Sequence, residues 1–141
     1  LKDHSMHREY IALVDGNIGC NEGKIVGKIG RDPNNRLKMA INNQTGKEAI
    51  THFVVKKRFK KYTLIECKLE TGRTHQIRVH MSSIGHPIVG DKLYGGSTYI
   101  YDNGQLLHAY KLTFCHPILK KEISLTCDIP EYFKEVLDKL E

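Results

Sequence analysis

Residues 62–84 read YTLIECKLETGRTHQIRVHMSSI, and along this stretch the apolar residues change from one spacing to another. Ile65, Cys67 and Leu69 alternate with polar residues, which is the period of a strand with one buried face. The run before it, EAITHFVVKKRF at 48–59, is also rich in β-branched and aromatic residues, and only two lysines separate the runs. We therefore predict an antiparallel hairpin from these two strands.

A turn and a helix are predicted after the second strand. Thr71-Gly72 has the composition of a turn, and Thr74 is a suitable N-cap for a helix over residues 75–84. Arg78 lies about 100° around the helix from its apolar neighbour, at the edge of the apolar stripe. That stripe consists of Ile77, Met81 and Ile84.

The rest of the chain predicts further strands and one more helix. Strands are expected at 9–15, 106–114 and 122–127, and the polar segment 19–47 is expected to be a loop with short strands. A last helix at 131–140 has a packing face of Phe133, Val136, Leu137 and Leu140. Because strands and helices do not alternate as βαβ units, the fold class predicted for 1–141 is α+β, one domain with a mainly antiparallel mixed sheet.

Charge and cysteine usage narrow the class of protein. Twenty-two Lys and Arg against 16 Asp and Glu give a net charge of +6, which favours a polyanionic partner such as nucleic acid. Four scattered cysteines form no metal or redox motif, and we interpret them as reduced thiols of a cytoplasmic protein. Three of them, Cys67, Cys115 and Cys127, are expected to be buried, and no apolar run reaches the roughly 20 residues of a membrane span.

The basic helix at 75–84 is open to several interpretations. His75 and His80 are five residues apart and no carboxylate lies in the helix, so a metal site is not predicted. The turn at Gly72 leads to free N–H groups flanked by Arg73 and His75, which could bind phosphate. A solvated basic face fits the same residues equally well, and it also fits the charged residues Arg31, Arg36 and Lys38. Tyr10, in the first strand, could equally be a core aromatic with its hydroxyl at the surface.

Four segments together resemble a known family. LETGRTHQIRVHMSSIGHPIVGDKLYG (69–95) resembles the third motif of the RluA-type pseudouridine synthases, which isomerise uridine in ribosomal and transfer RNA. REYIALVDG (8–16) is similar to the family's segment with an active-site tyrosine, and IGRDPNNRLKMAI (29–41) to its G-R-D-P loop. LLHAYKLTFCHP (106–117) is similar to a later motif with a leucine in the uracil pocket. The similarity extends over nearly the whole chain.

The resemblance implies a reaction without a cofactor or metal, in which an aspartate attacks the uridine and the base detaches, turns and rejoins through carbon 5. It implies that Tyr10 stacks on the base, that Arg78 pairs with the nucleophilic aspartate, and that Leu107 and Ile77 line the uracil pocket. RNA is then the expected partner. Its contacts are expected at Arg73, His75, His80, Arg31, Arg36 and Lys38.

One element of the family pattern is absent. The nucleophile's H-R-L-D motif should precede the tyrosine segment, and the sequence contains no such motif. The chain is therefore expected to be the C-terminal part of a catalytic domain, inactive alone, and monomeric as the full-length enzyme. Arg78 is expected to lack its partner and to destabilise the chain locally. The alternative is a stand-alone RNA-binding module without catalysis.

Overall fold

The computed structural model describes residues 7–141 of the chain, which form eight strands, two α-helices and a short 3₁₀ turn at Lys92–Tyr94. The strands are β1 His7–Asp15, β2 Glu22–Val26, β3 Ile29–Arg31, β4 Met39–Ile41, β5 Ile50–Arg58, β6 Tyr62–Leu69, β7 Leu107–Cys115 and β8 Glu122–Thr126. The helices are α1 Gln76–Ser83 and α2 Glu131–Leu140.

Six of these strands form one sheet in the order β2-β5-β6-β1-β7-β8, while β3 and β4 form a separate two-stranded hairpin. Every pairing between the described strands is antiparallel. The predicted hairpin is confirmed as β5 and β6, with Phe53 opposite Cys67. The predicted α+β class is confirmed as well, since the helices pack on the sheet without crossing between parallel strands.

Strand β1 lies in the middle of the sheet and is covered on both faces. Ala12 and Val14 belong to a core cluster that includes Ile77 and Met81 of α1. Ile11 and Leu13, which point the other way because side chains alternate along a strand, pack with Phe133 and Val136 of α2. The molecule therefore has three layers, with α1 and α2 on opposite faces of the sheet.

The start of α1 differs from its prediction. The helix begins at Gln76, and its N-cap is His75 in the left-handed conformation (φ 57°), with no capping bond from its own side chain. The buried amide of Gln76 instead orders the turn before the helix, because its Oε1 accepts hydrogen bonds from the Arg73 N–H at 3.0 Å and the Thr71 hydroxyl at 2.7 Å. The prediction of Thr74 as N-cap is thus wrong.

The predicted packing faces are largely confirmed. Ile77 and Met81 are buried, whereas Ile84 is 40% exposed, so the apolar stripe of α1 ends one turn earlier than predicted. Helix α2 has the predicted bounds, and its four apolar residues pack in the second core cluster.

The cysteines follow their predictions only in part. All four are free; Cys67 is buried and Cys115 partly buried, but Cys127 is exposed. The expectation of a buried Cys127 is therefore wrong, and its position beyond the end of the edge strand β8 explains its exposure. Within residues 7–141, no helix combines the length and the apolar character needed to cross a membrane.

Candidate active site

A pocket of about 200 Å³ opens on the α1 side of the sheet, where β1, β6, β7 and the turn before α1 meet. The pocket collects residues that are far apart in sequence but that the central position of β1 brings together. Its lining residues are Arg8, Tyr10, Leu69, Gly72, Arg73, His75, Gln76, Ile77, Arg78 and Leu107.

The predicted base-binding residues all reach this pocket. Tyr10 has the same strand parity as Ala12 and therefore faces α1, and both Tyr10 and Leu107 are partly buried against the core cluster that contains Ile77. Ile77 is itself only 3% exposed and forms the floor beside the aromatic ring. The site thus offers one aromatic ring between two aliphatic side chains, which suits a flat, partly apolar ring.

Arg78 lines the same pocket and is held by a carboxylate. Its Nε donates to one oxygen of Asp91 and one of its terminal nitrogens donates to the other, both at 2.9 Å. These hydrogen bonds raise the pKa of Arg78 above its already high ordinary value, although burial acts in the opposite direction. The expectation that Arg78 lacks a partner in this chain, and destabilises it, is therefore wrong.

Asp91 does not itself reach the pocket. The side chain is 1% exposed, compared with 15% for Arg78, so the carboxylate lies beneath the guanidinium and is covered by it. The ring of Tyr94 lies against the same guanidinium, with its centroid 5.0 Å from the guanidinium carbon. Asp91 is thus a structural partner of the arginine and is not accessible to a substrate.

The sequence reasoning missed Asp91 and Tyr94 as parts of this site. Asp91 follows Gly90, and an aspartate beside glycine usually belongs to a solvated turn. The only signal available was that both residues lie inside the segment 69–95 that resembles the family motif. Their contact with Arg78 depends on the chain turning back at Gly85, which periodicity alone does not specify.

The turn before α1 forms the rim of the pocket. Arg73 uses its Nε to donate to the carbonyl of Glu48 at 2.8 Å, and its other donors remain at the rim. The ring of His75 lies edge-on to Tyr94, with its Nδ1 2.7 Å from the phenol oxygen. Burial, and next the charge of Arg78, lower the pKa of His75, so this side chain is neutral at pH 7.

The other predicted RNA-binding residues lie on or beside the β3–β4 hairpin, outside the pocket. Arg31 and Arg36 are exposed, and Arg31 donates to the carbonyl of Arg36 at 3.3 Å. The ammonium group of Lys38 lies 5.5 Å from the ring centroid of Tyr94, so the hairpin and the pocket rim share one aromatic residue.

His80 lies in the interior of the protein and not on its surface. Its side chain is fully buried, with Nε2 3.0 Å from the carbonyl oxygen of Gly27 and Nδ1 2.8 Å from the hydroxyl of Thr51. A carbonyl can only accept, so Nε2 carries the proton, and the Thr51 hydroxyl donates to Nδ1 of a neutral ring. The expectation of an RNA contact at His80 is therefore wrong.

The pocket lacks an acid that could act as a nucleophile, since none of its lining residues is an aspartate or a glutamate. Across residues 7–141, histidines, cysteines and carboxylates do not gather in any group of three that could hold a metal ion. What the described residues provide is a cavity of about 200 Å³ lined by three arginines, Arg8, Arg73 and Arg78, of which Arg78 is anchored from below by Asp91.

The sequence of this chain is similar to proteins of one family. Residues 1–83 match the family model described as RNA pseudouridylate synthase. An uncharacterized RNA pseudouridine synthase of Bacillus subtilis is 45% identical over 140 residues, which cover 99% of this chain and 46% of that protein. The ribosomal large subunit pseudouridine synthase D of Xylella fastidiosa is 40% identical over 153 residues, with 99% and 46% covered.

A solved structure extends the agreement to the fold. Human RNA pseudouridylate synthase domain containing 1 superposes with a TM-score of 0.73 at 26% identity, covering 96% of this chain and 65% of that one. The chain spans less than half the length of the curated relatives it matches. With a family model that matches more than half of its residues, and with the same fold, the chain belongs to the RNA pseudouridylate synthase family.

Proposed function

We propose that the protein to which this chain belongs isomerises uridine to pseudouridine in RNA, and that the chain supplies one wall of its active site. The observation that carries this proposal is the convergence of Tyr10, Arg78 and Leu107 in one pocket from three separate elements. The family resemblance assigns these three residues, together with Ile77, to the reaction, and Ile77 lines the same pocket.

Each of these side chains suits a step of the reaction. The ring of Tyr10 stacks on the uracil base, and Leu107 and Ile77 bind its apolar edge. Arg78 holds a nucleophilic carboxylate ionised and oriented, since a guanidinium binds carboxylates through paired hydrogen bonds. The carboxylate attacks C1′ of the ribose and displaces the base, which turns. Carbon 5 of the base then bonds to C1′ and displaces the carboxylate, Tyr10 takes the carbon-5 proton, and the nitrogen that had been bonded to the ribose takes up a proton.

The nucleophile is proposed to come from outside residues 7–141. None of the pocket-lining residues carries a carboxyl group, and Asp91 is covered by Arg78. The relatives are also more than twice as long as the matched segment, which leaves room for the missing acid. We therefore propose that the chain is the C-terminal portion of a catalytic domain and that it does not convert uridine alone.

The substrate proposed is ribosomal RNA, because five of the similar relatives are named as ribosomal large subunit synthases. Contacts to the RNA backbone are assigned to Arg73 at the rim and to Arg31, Arg36 and Lys38 of the hairpin, with neutral His75 as a hydrogen-bonding group. We further propose a cytoplasmic, monomeric enzyme that requires no cofactor.

The test is a conversion assay with the protein encoded by the complete gene. Purified protein is incubated with a ribosomal RNA transcript, the RNA is digested, and pseudouridine is quantified by chromatography of the nucleosides. We expect conversion by the complete protein and none by residues 1–141. Conversion by 1–141 alone would contradict the external nucleophile, and a complete protein that binds RNA without converting it would support the RNA-binding module instead.

Substitutions then test the role of Arg78. We expect Arg78→Ala to lower the rate by about 100-fold or more, the loss typical for a group that stabilises developing charge. Arg58→Ala is the matched control, because Arg58 makes hydrogen bonds to Ile18 and Cys20 but lies outside the pocket. Equal rates for the two variants would contradict the assignment.

A further inference from the structure

The ion pair between Arg78 and Asp91 uses only one edge of the guanidinium. The carboxylate of Asp91 accepts hydrogen bonds from the Nε–H and from one N–H of a terminal nitrogen of Arg78. These two donors form one edge of the guanidinium. A guanidinium carries five N–H donors, so three remain. Within residues 7–141 no hydrogen bond from these three is found, and Arg78 lines the pocket.

The carboxylate is fixed by its own backbone. The N–H of Asp91 donates to the carbonyl of Ile88 at 3.1 Å, and the carbonyl of Asp91 accepts from the N–H of Gly96 at 2.7 Å. Gly96 has to be glycine, because a side chain there would collide with the carbonyl oxygen of Ile88. The segment 88–96 is therefore a tight loop that leaves the Asp91 side chain little freedom to move.

One face of the guanidinium is fixed as well. Tyr94 presents its ring to Arg78, and its hydroxyl accepts from the N–H of Met39 at 2.8 Å and contacts His75 at 2.7 Å. The ring is thus anchored from β4 and from the start of α1. With one edge bound to Asp91 and one face against Tyr94, the guanidinium has a single orientation in which its remaining donors face the pocket.

We propose that Asp91 is a positioning residue for pseudouridine formation, which orients the free edge of Arg78 toward a second carboxylate in the pocket. This inference rests on the proposed function, which supplies that second carboxylate as the nucleophile. An unanchored arginine samples many rotamers, and a misplacement of about 1 Å at a reacting group can cost about 100-fold in rate. Asp91 therefore acts on turnover through Arg78, without touching the substrate.

A double-mutant cycle on the complete protein separates this role from a general loss of stability. Asp91→Asn is expected to lower kcat by about 30-fold or more while KM for the RNA changes by less than about 3-fold, because only orientation is lost. In an Arg78→Ala background, with slow rates followed over hours, the same substitution should change kcat by less than about 2-fold. Asp15→Asn is the matched control, since the Asp15 carboxylate bonds only Ser97 among the described residues and Asp15 lies outside the pocket.

The outcomes distinguish the two proposals. If the wild-type protein makes no pseudouridine, the proposed function fails and the role of Asp91 fails with it. If the wild type is active and Asp91→Asn keeps its kcat, or if the two losses in the cycle simply multiply, only the positioning role is contradicted.

A second measurement covers the case in which Asp91→Asn does not fold. In wild-type 1–141, NMR of the arginine side chains should show the Nε proton of Arg78 exchanging with water at least about 10-fold more slowly than that of exposed Arg36, because Asp91 binds it. Equal exchange rates would overturn the proposal, since an arginine that is not fixed by Asp91 cannot be positioned by it.

Discussion

Two basic side chains on opposite edges of helix α1 differ in charge: one is a cation and the other is neutral. Arg78, on the pocket edge, is charged, as guanidinium groups in proteins always are, and its immediate partner is the carboxylate of Asp91. His80, on the edge toward β5, is neutral because its partners are a carbonyl and a hydroxyl. The two residues are only two positions apart in sequence. Arg78 is a paired ion that lines the pocket, whereas His80 is a neutral ring in the core.

The comparison shows that the partners of a buried basic group decide whether burial lowers its pKa. Burial opposes charge at both sites, since it acts to lower the pKa of Arg78 and of His80 alike. At Arg78 the hydrogen bonds to Asp91 outweigh burial, whereas at His80 the hydrogen bond to the Gly27 carbonyl does not. Three substitutions and a change of pH test this contrast.

The largest effect on stability is expected from removing the arginine. In residues 1–141, Arg78→Ala leaves the carboxylate of Asp91 buried without a partner, which costs about 3–5 kcal/mol in the free energy of unfolding. Urea denaturation measures the loss. Arg73→Ala, in the same segment but with one exposed hydrogen bond, should cost about 1 kcal/mol or less; equal losses would mean that Asp91 is not buried as described.

On the neutral edge, Gln76 is the most sensitive position. Its amide bonds the Ile50 carbonyl, the Arg73 N–H and the hydroxyl groups of Thr51 and Thr71. Gln76→Ala removes these four hydrogen bonds and leaves the Arg73 N–H without its acceptor, and we expect a loss of about 1–3 kcal/mol by urea denaturation. The exposed Gln44→Ala should change stability by less than about 0.5 kcal/mol, and a comparable loss at both sites would contradict the buried network.

The neutral edge also predicts a dependence on pH. Burial lowers the pKa of His80 below its ordinary 6.5, so the unfolded chain takes up this proton before the folded one does. Stability should therefore fall as the pH drops below about 6.5, by at most about 1.4 kcal/mol per pH unit for each such group. His75, whose pKa is also lowered, contributes in the same direction.

Urea midpoints of the wild type and of His80→Gln between pH 7.5 and pH 5.5 test this assignment. The variant starts from a lower stability, but its midpoint should depend less on pH because one titrating group is gone. An unchanged slope would show that His80 does not titrate between the folded and unfolded states.

The smallest effect is expected at Tyr94, on the charged edge. Tyr94→Phe keeps the ring against Arg78 but removes the hydroxyl that accepts from Met39 and contacts His75. The expected loss is about 0.5–1.5 kcal/mol in thermal or urea unfolding. A loss as large as that of Arg78→Ala would mean that the hydroxyl, and not the ion pair, holds the start of α1.

Local patterns predicted the elements well where neighbouring residues determine them. The alternation in β6 and the bounds of α2 follow from side-chain periodicity, which needs no knowledge of distant residues. The start of α1 was predicted less well, because it depends on Gln76, whose amide bonds Ile50 and Thr51 in another strand.

Motif and local pattern were enough to predict the family, most of the strands and the placement of Tyr10, Ile77, Arg78 and Leu107 in one site. The partners and the burial of the basic side chains, in contrast, depend on the tertiary structure. Asp91, thirteen residues after Arg78, becomes its partner when the chain folds back, and Gly27 and Thr51 draw His80 into the core. The physical reason is that burial penalises every charge, and a sequence does not show which charges meet a partner that outweighs the penalty.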